Sequence, residues 1–286
     1  EPGLPFAGPH FFSGFTFSHE GPRDAAFAPG HVFVPRWQVS KREGYYTAVA
    51  NLRVEPDTEI EPVARRVWGA HQKFSAFDYP EIDPVAPRRG DGVETSEAGG
   101  AGRFEKLVGD ALARIETGAF EKIVVARALD LEAPEPFQPL DGLSRLREEF
   151  PECYAFSFAN GDGQSFIGVT PERLVKVDGD TVRTMALAGT ARRGTTARED
   201  ARLARALLSS EKDLREHAVV VESIRRRLRR LGIEPDFAPH PSLLQLANVQ
   251  HILTPVTAAR PEGLHLLDLL KELHPTPAVG GSPRDA

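Results

Sequence analysis

Cysteine is almost absent from this chain. Cys153 stands alone among 286 residues, which excludes an internal disulfide and any metal site built from several thiolates. It falls between a helical pattern and an apolar strand, where a small buried side chain is its default role. Methionine is equally scarce: Met185 is the sole example, so position 1 is expected to be a processed or trimmed start. No apolar run approaches the ~18 residues a membrane span needs, and no secretory signal opens the chain. A long block of one charge is missing too. The formal net charge of -6 argues against a nucleic-acid surface. The one basic cluster, Arg225-Arg226-Arg227 with Arg229-Arg230, sits on a predicted helix and reads as a solvated face rather than an anion site. These absences predict a cytoplasmic protein that binds neither nucleic acid nor membrane.

What is present describes a globular protein. Hydrophobic residues make up 41% and charged residues 27%, enough for a real core. Aromatic and small residues alternate between Gly and Pro over Phe11–Phe17, His31–Arg36 and Tyr45–Ala50, the mark of antiparallel strands. A helix is predicted from Ile60 to about Phe77. Residues 78–102 are rich in Pro, Gly and acid and read as a linker. A second helix spans Arg103–Glu116 and stops at Thr117-Gly118. The β-branched strand Ile123–Ala126 follows, then a helix over Leu140–Phe150. A hairpin joins Tyr154–Phe158 to Ser165–Val169 through Asn160-Gly161-Asp162-Gly163. Further strands are predicted over Leu174–Val177, Val182–Ala188 and Asn248–Val256. Between the last two lies a long amphipathic helix, about Thr196–Leu231, with a break near Ser209-Ser210. A short helix, Leu264–Leu273, leads into a loop punctuated by two X-Pro steps and a Gly-Gly pair. The order is α+β, with mainly antiparallel strands and long helices.

Several residues could carry chemistry, and each has an ordinary alternative. Lysine is rare, seven against 28 arginines, which draws notice to Lys122 at the mouth of a β-branched strand. It is either a solvated strand-end lysine or a desolvated amine able to act as a base. Glu172 follows a strand in a turn fixed by Pro171, and either pairs with Arg173 or aims its carboxyl across the sheet. Gly189-Thr190 ends a strand, offering backbone N–H groups and a hydroxyl to a carboxylate or phosphate, or simply making a turn. Glu216 stands four residues after Lys212, the spacing of a helix-surface ion pair, but a single carboxylate can also hold magnesium when water and an anionic substrate complete the shell. His251 lies within a strand, where a hydrogen-bonded core histidine is the commoner role.

Taken in order, six segments resemble the chorismate-utilising enzymes, the family of isochorismate, salicylate, anthranilate and aminodeoxychorismate synthases. They are Phe120-Glu-Lys-Ile-Val-Val-Ala-Arg127, Phe166-Ile-Gly-Val-Thr-Pro-Glu-Arg-Leu174, Ala186-Leu-Ala-Gly-Thr190, Ser210-Glu-Lys-Asp-Leu-Arg-Glu-His217, Asn248-Val-Gln-His251 and Leu273-His-Pro-Thr-Pro-Ala-Val-Gly-Gly281. Within the family, Lys122 and the Ala-Leu-Ala-Gly-Thr segment are similar to the hydrating members, and the Pro-Thr-Pro-Ala-Val-Gly-Gly loop to isochorismate synthases. The salicylate synthases, which also release pyruvate, are the alternative, as is a truncated remnant without catalysis. The resemblance implies that Lys122 acts as the base and Glu172 as the acid. It implies that Gly189, Thr190, His251 and Ala278 contact substrate, and that Glu216 holds Mg²⁺. It also implies chorismate as the small-molecule partner, a product used in menaquinone or siderophore biosynthesis, and a monomer or weak oligomer. The expected architecture is one chorismate-binding domain over 1–286, made of N-terminal strands (1–77), a linker (78–102) and a catalytic core (103–286). Family members continue past the Gly-Gly loop, so the chain is expected to lack a C-terminal portion and to be inactive or very weak alone.

Overall fold

The structure, a computed structural model, describes residues 8–17, 25–42, 44–75 and 92–283. The chain divides into two compact units, residues 1–88 and 89–286. The first holds two antiparallel pairs and a helix. β1 (Phe12–Phe15) pairs with β2 (Gly30–Phe33), and Phe12 stacks on Phe33 across them at 5.8 Å. β3 (Trp37–Arg42) pairs with β4 (Tyr45–Ala50), and α1 (Ile60–Ser75) follows. The predicted helix end at Phe77 lies outside the described residues.

In the second unit, β5 (Glu94–Glu97) precedes α2 (Arg103–Glu116), β6 (Lys122–Ile123), β7 (Leu129–Glu132) and α3 (Pro139–Glu149). β5 pairs with β7, so the tail of the expected linker is a strand. β8 (Tyr154–Ala159) and β9 (Ser165–Thr170) form the expected hairpin. Its turn is built by Asn160, whose Oδ1 accepts the N–H groups of Asp162 and Gln164. Next come β10 (Lys176–Asp178), β11 (Thr181–Arg192), α4 (Ala197–Ser209) and α5 (Glu211–Arg230). The chain then runs through β12 (Asp236–Phe237), β13 (Ser242–Gln245), β14 (Val249–Ala259), α6 (Leu266–Leu273) and β15 (Gly281–Ser282).

The central sheet runs β10-β11-β14-β12, with β13 also on β14, and every pair is antiparallel. β11 and β14 are its long members, and α5 packs along β11. The period-2 pattern turns Val182, Ala186 and Ala188 of β11 to the core face. The helical period brings Val220, Ile224 and Leu228 of α5 down onto them, and Leu269 and Leu273 of α6 close the end. Three polar residues ride on that same buried stripe of α5, His217, Ser223 and Arg227.

The helix break near Ser209-Ser210 is present, and its cause is local. Ser210 is extended (φ -73°, ψ 112°), and its Oγ accepts the N–H of Asp213, capping α5. Thr196 caps α4 in the same way through Glu199. The predicted strand Ile123–Ala126 is shorter than its β-branched sequence suggests. β6 stops at Ile123 because its partner β15 supplies two residues; beyond them only the Val124 N–H reaches Gly280 O.

Candidate active site

Lys122 opens β6, its backbone paired with Ser282. Its ammonium donates to Glu216 Oε1 at 3.0 Å. The Lys122 side chain is 12% exposed, while that of Glu216 is 35% exposed; the lysine is largely out of water and the carboxylate opens toward it. Of the two readings of Glu216, the helix-surface pair with Lys212 is not the one formed; its ion pair is a tertiary one with Lys122. Glu216 lies on the side of α5 that meets β6, and there it finds a less hydrated partner.

Glu172 is set by its turn. Pro171 fixes the backbone ahead of it, and Thr170 Oγ1 accepts the Glu172 N–H at 3.2 Å. The carboxyl does not pair with Arg173, whose guanidinium instead donates to Tyr154 OH. It accepts a hydrogen bond from Thr276 Oγ1 at 3.5 Å. Burial pushes the Glu172 pKa above its ordinary value; the Thr276 hydrogen bond and the nearby Lys122 charge pull it down without cancelling that rise. A carboxyl that holds its proton more firmly than an exposed one thus lies within electrostatic reach of a lysine, the kind of arrangement that can offer an acid and a base at once.

The segment after α6 ties these groups together. Thr276 and Pro277 are buried, and Val279 and Gly280 both donate N–H bonds to Thr276 O, closing a turn. Gly281 and Ser282 then lie against β6, with Ser282 Oγ donating to Glu121. Gly281 has φ 139°, and a Cβ there would stand 2.7 Å from the Lys122 carbonyl oxygen. Gly281→Ala should therefore push β15 off β6, at a cost of about 1–3 kcal/mol for the backbone strain alone. Amide exchange at Glu121 and Val124, whose N–H groups bond to this segment, should speed up. Unchanged protection at both amides would refute the close approach.

A second cluster sits on the β11–β14 ladder. The register shifts between Ala188 and Thr190, making Gly189 (φ 80°) a bulge. A Cβ at Gly189 would meet Ile252 Cδ1 at 3.0 Å and Asp213 Cβ at 3.3 Å, so the bulge abuts α5 one turn before Glu216. Thr190 Oγ1 and His251 Nδ1 are hydrogen-bonded at 2.9 Å across the ladder. Ala278 is half-buried against the core. Burial lowers the pKa of both His251 and His217, favouring neutral imidazoles, and His217 Nε2 is 2.8 Å from Thr254 Oγ1. Thr276 and His217 lie within the family-like segments, yet neither has a role that the sequence alone suggests. The signal for Thr276 is its place between two prolines; for His217 it is the helical period that also buries Val220 and Ile224.

For a magnesium ion, Glu216 offers one hard oxygen donor at the partly open end of the site. That fits a cation whose remaining positions are filled by water and an anionic ligand. Among the described residues no group of three His, Cys, Asp or Glu side chains forms a closed metal cage. A groove of about 870 Å³ between α3 and β8, lined by Leu143, Arg147, Phe150 and Tyr154, holds none of these residues.

Fold and site define an α+β protein that brings a sheltered lysine and a raised-pKa carboxyl together through one buried turn. The chain belongs to the chorismate binding enzymes, whose family profile matches residues 1–286. It is 35% identical over 288 residues to the salicylate biosynthesis isochorismate synthase of Pseudomonas aeruginosa, covering 97% of this chain and 58% of that protein. It is 31% identical over 282 residues to the isochorismate synthase MenF of Bacillus subtilis, with the same 97% and 58% shares. Among solved structures, the menaquinone-specific isochorismate synthase MenF from Escherichia coli matches with a TM-score of 0.74 at 27% identity, over 90% of this chain and 58% of that one. The chain thus spans less than two thirds of the length of these relatives. No helix among the described residues is long and apolar enough to cross a membrane.

Proposed function

We propose that the protein isomerises chorismate to isochorismate. The observation that carries this is the placement of Lys122 and Glu172, from distant parts of the chain, around the turn at Thr276. The names of the two isochorismate synthases that match 97% of the chain support the same reading.

In this reading Lys122 takes a proton from a water molecule, whose oxygen bonds to C2 of the ring. Glu172 gives its proton to the C4 hydroxyl, which departs as water while the ring double bonds shift. The proton count closes, with one taken at Lys122 and one released at Glu172. An ammonium has no lone pair, so Lys122 must first release a proton to solvent, giving up its ion pair with Glu216, and act as the neutral amine. Magnesium bound at Glu216 would compete with the Lys122 ammonium for that carboxylate and would offset charge on an anionic substrate. Gly189 and Thr190 would offer a backbone N–H and a hydroxyl to a substrate carboxylate, with His251 hydrogen-bonded to Thr190, and Ala278 would shape the wall. A cytoplasmic location, a product used in menaquinone or siderophore biosynthesis, and a monomeric or weakly associating state belong to the same proposal.

The test is incubation with chorismate and Mg²⁺, products being resolved by chromatography and pyruvate assayed alongside. Residues 1–286 span 58% of the relatives' length, so the assay is run on them alone and on a protein extended by the C-terminal region those relatives carry. Isochorismate without pyruvate is expected from the extended protein, and little or none from residues 1–286. Salicylate with pyruvate would move the assignment to a salicylate synthase, and failure of the extended protein to convert chorismate would overturn it.

A further inference from the structure

Of the five arginines in the Arg225–Arg230 run, only Arg227 is buried, at 5% exposure. Arg225, Arg229 and Arg230 form surface pairs with Glu222, Glu234 and Glu272, as a solvated face should. Arg227 points instead from the last turn of α5 to the end of α6. Its Nη1 lies 2.6 Å from Pro275 O, 2.9 Å from Leu273 O and 3.4 Å from Glu272 O. A buried guanidinium is stable only where acceptors replace its water. The last carbonyls of a helix are such acceptors, lacking intrahelical donors and carrying the negative end of the helix dipole. The Pro275 carbonyl is one peptide bond from Thr276, which donates to Glu172. From Thr276 the turn closed by Val279 and Gly280 leads directly to the pairing of Gly281 and Ser282 with the Lys122 strand.

We propose that Arg227 is a positioning residue: by clamping the carbonyls of Leu273 and Pro275 it seats the 276–282 segment, which holds Glu172 at one end and the backbone of Lys122 at the other. The proposal deepens the functional reading above, which gives those two residues their roles. Its geometry stands without them. Removing the clamp lets Thr276 withdraw from Glu172, so that the carboxyl loses a hydrogen bond that favours its charged form.

The experiment follows the Glu172 carboxyl by ¹³C NMR titration, its signal identified by its loss in Glu172→Gln. Because the Thr276 hydrogen bond favours the carboxylate, the midpoint in Arg227→Met should lie about 0.5 pH higher, the size one net hydrogen bond gives. Thr276→Val should match it, and Arg227→Lys, whose ammonium can still donate to carbonyls, should recover part of the difference. An Arg227→Met protein that melts earlier but keeps the midpoint would reduce Arg227 to a structural role and overturn the proposal. Should Arg227→Met not fold, Arg227→Gln, which keeps one amide donor, is read by the same midpoint, and no displacement there overturns the proposal equally. None of these readings needs turnover. A displaced midpoint, with no chorismate conversion even by a protein extended by the C-terminal region of its relatives, removes the functional reading and leaves the clamp; conversion by that protein with an unmoved midpoint does the reverse.

Discussion

Lys122→Ala is expected to lower kcat/KM for chorismate by about 10²–10⁴-fold, the range a positioned general base supplies. The fold should survive. Glu216, left without its partner, is about a third exposed and can rehydrate, so the lost ion pair should cost about 1 kcal/mol or less. Alanine removes both the base and the ion pair, and a second variant separates them. Lys122→Arg keeps a cation that can reach Glu216, but a guanidinium does not give up its proton at working pH. If Lys122 acts as the base, arginine should be nearly as inactive as alanine. If its function is to hold Glu216, arginine should restore most of the rate. Rates of each variant under saturating and limiting chorismate decide the matter, and near-normal turnover in Lys122→Ala would remove the base assignment altogether.

Glu172→Gln should lose activity and gain stability at the same time. In the proposed mechanism glutamine could not release a proton to the departing hydroxyl, so kcat should fall by about 10²–10⁴-fold. The stability change follows from the direction of the Glu172 pKa, which burial raises above that of the unfolded chain. A carboxyl raised in this way contributes stability that is fully present below the ordinary carboxylate pKa. That contribution is lost as pH climbs through the folded-state value. At neutral pH the parent therefore carries the penalty of a poorly hydrated carboxylate, or of holding its proton against the solvent. A neutral amide in the same place has neither, so the variant should melt at a higher temperature at pH 7, with the difference vanishing below about pH 4. Equal melting temperatures at both pH values would mean that Glu172 is hydrated in the folded protein, and its role as an acid would lose its physical basis.

Much of the site could be read from the sequence because it is written in short segments. A rare lysine before a β-branched run and a glutamate after Pro171 each declare a local geometry, whereas the Gly-Thr expected to end a strand proves to be a bulge within β11, which runs on to Arg192. In two cases the ordinary alternative, a pair with a local neighbour, is the one the structure does not form. Lys212 is the neighbour of Glu216 along the helix and Arg173 that of Glu172 along the chain, yet the structure gives these carboxylates Lys122 and Thr276. Exposed local ion pairs are weak, so a partner brought up by packing in a drier place prevails. Arg227 shows the same limit from the other side. In a run of five arginines over six positions, the helical period from Val220 and Ile224 puts Arg227 on the buried stripe; the carbonyls that receive it are supplied only by α6 packing across the end of α5.

Elements whose signal is local were legible without any structure: α2 from its apolar period, the break at Ser210 from its capping hydroxyl, and the β8–β9 hairpin from Asn160 and its glycines. The family was legible too, through the order of its motifs. Which short segments become strands was settled only by packing. β5, β12, β13 and β15 are brief or polar and carry little alternation, and β3 and β7 alternate over only four positions; all exist because a partner strand satisfies their backbone groups. Packing likewise brought the segment after α6 to both Glu172 and Lys122. Contacts between residues far apart in the chain depend on the summed burial of the β11–β14 sheet under α5 and α6, a quantity no single segment contains.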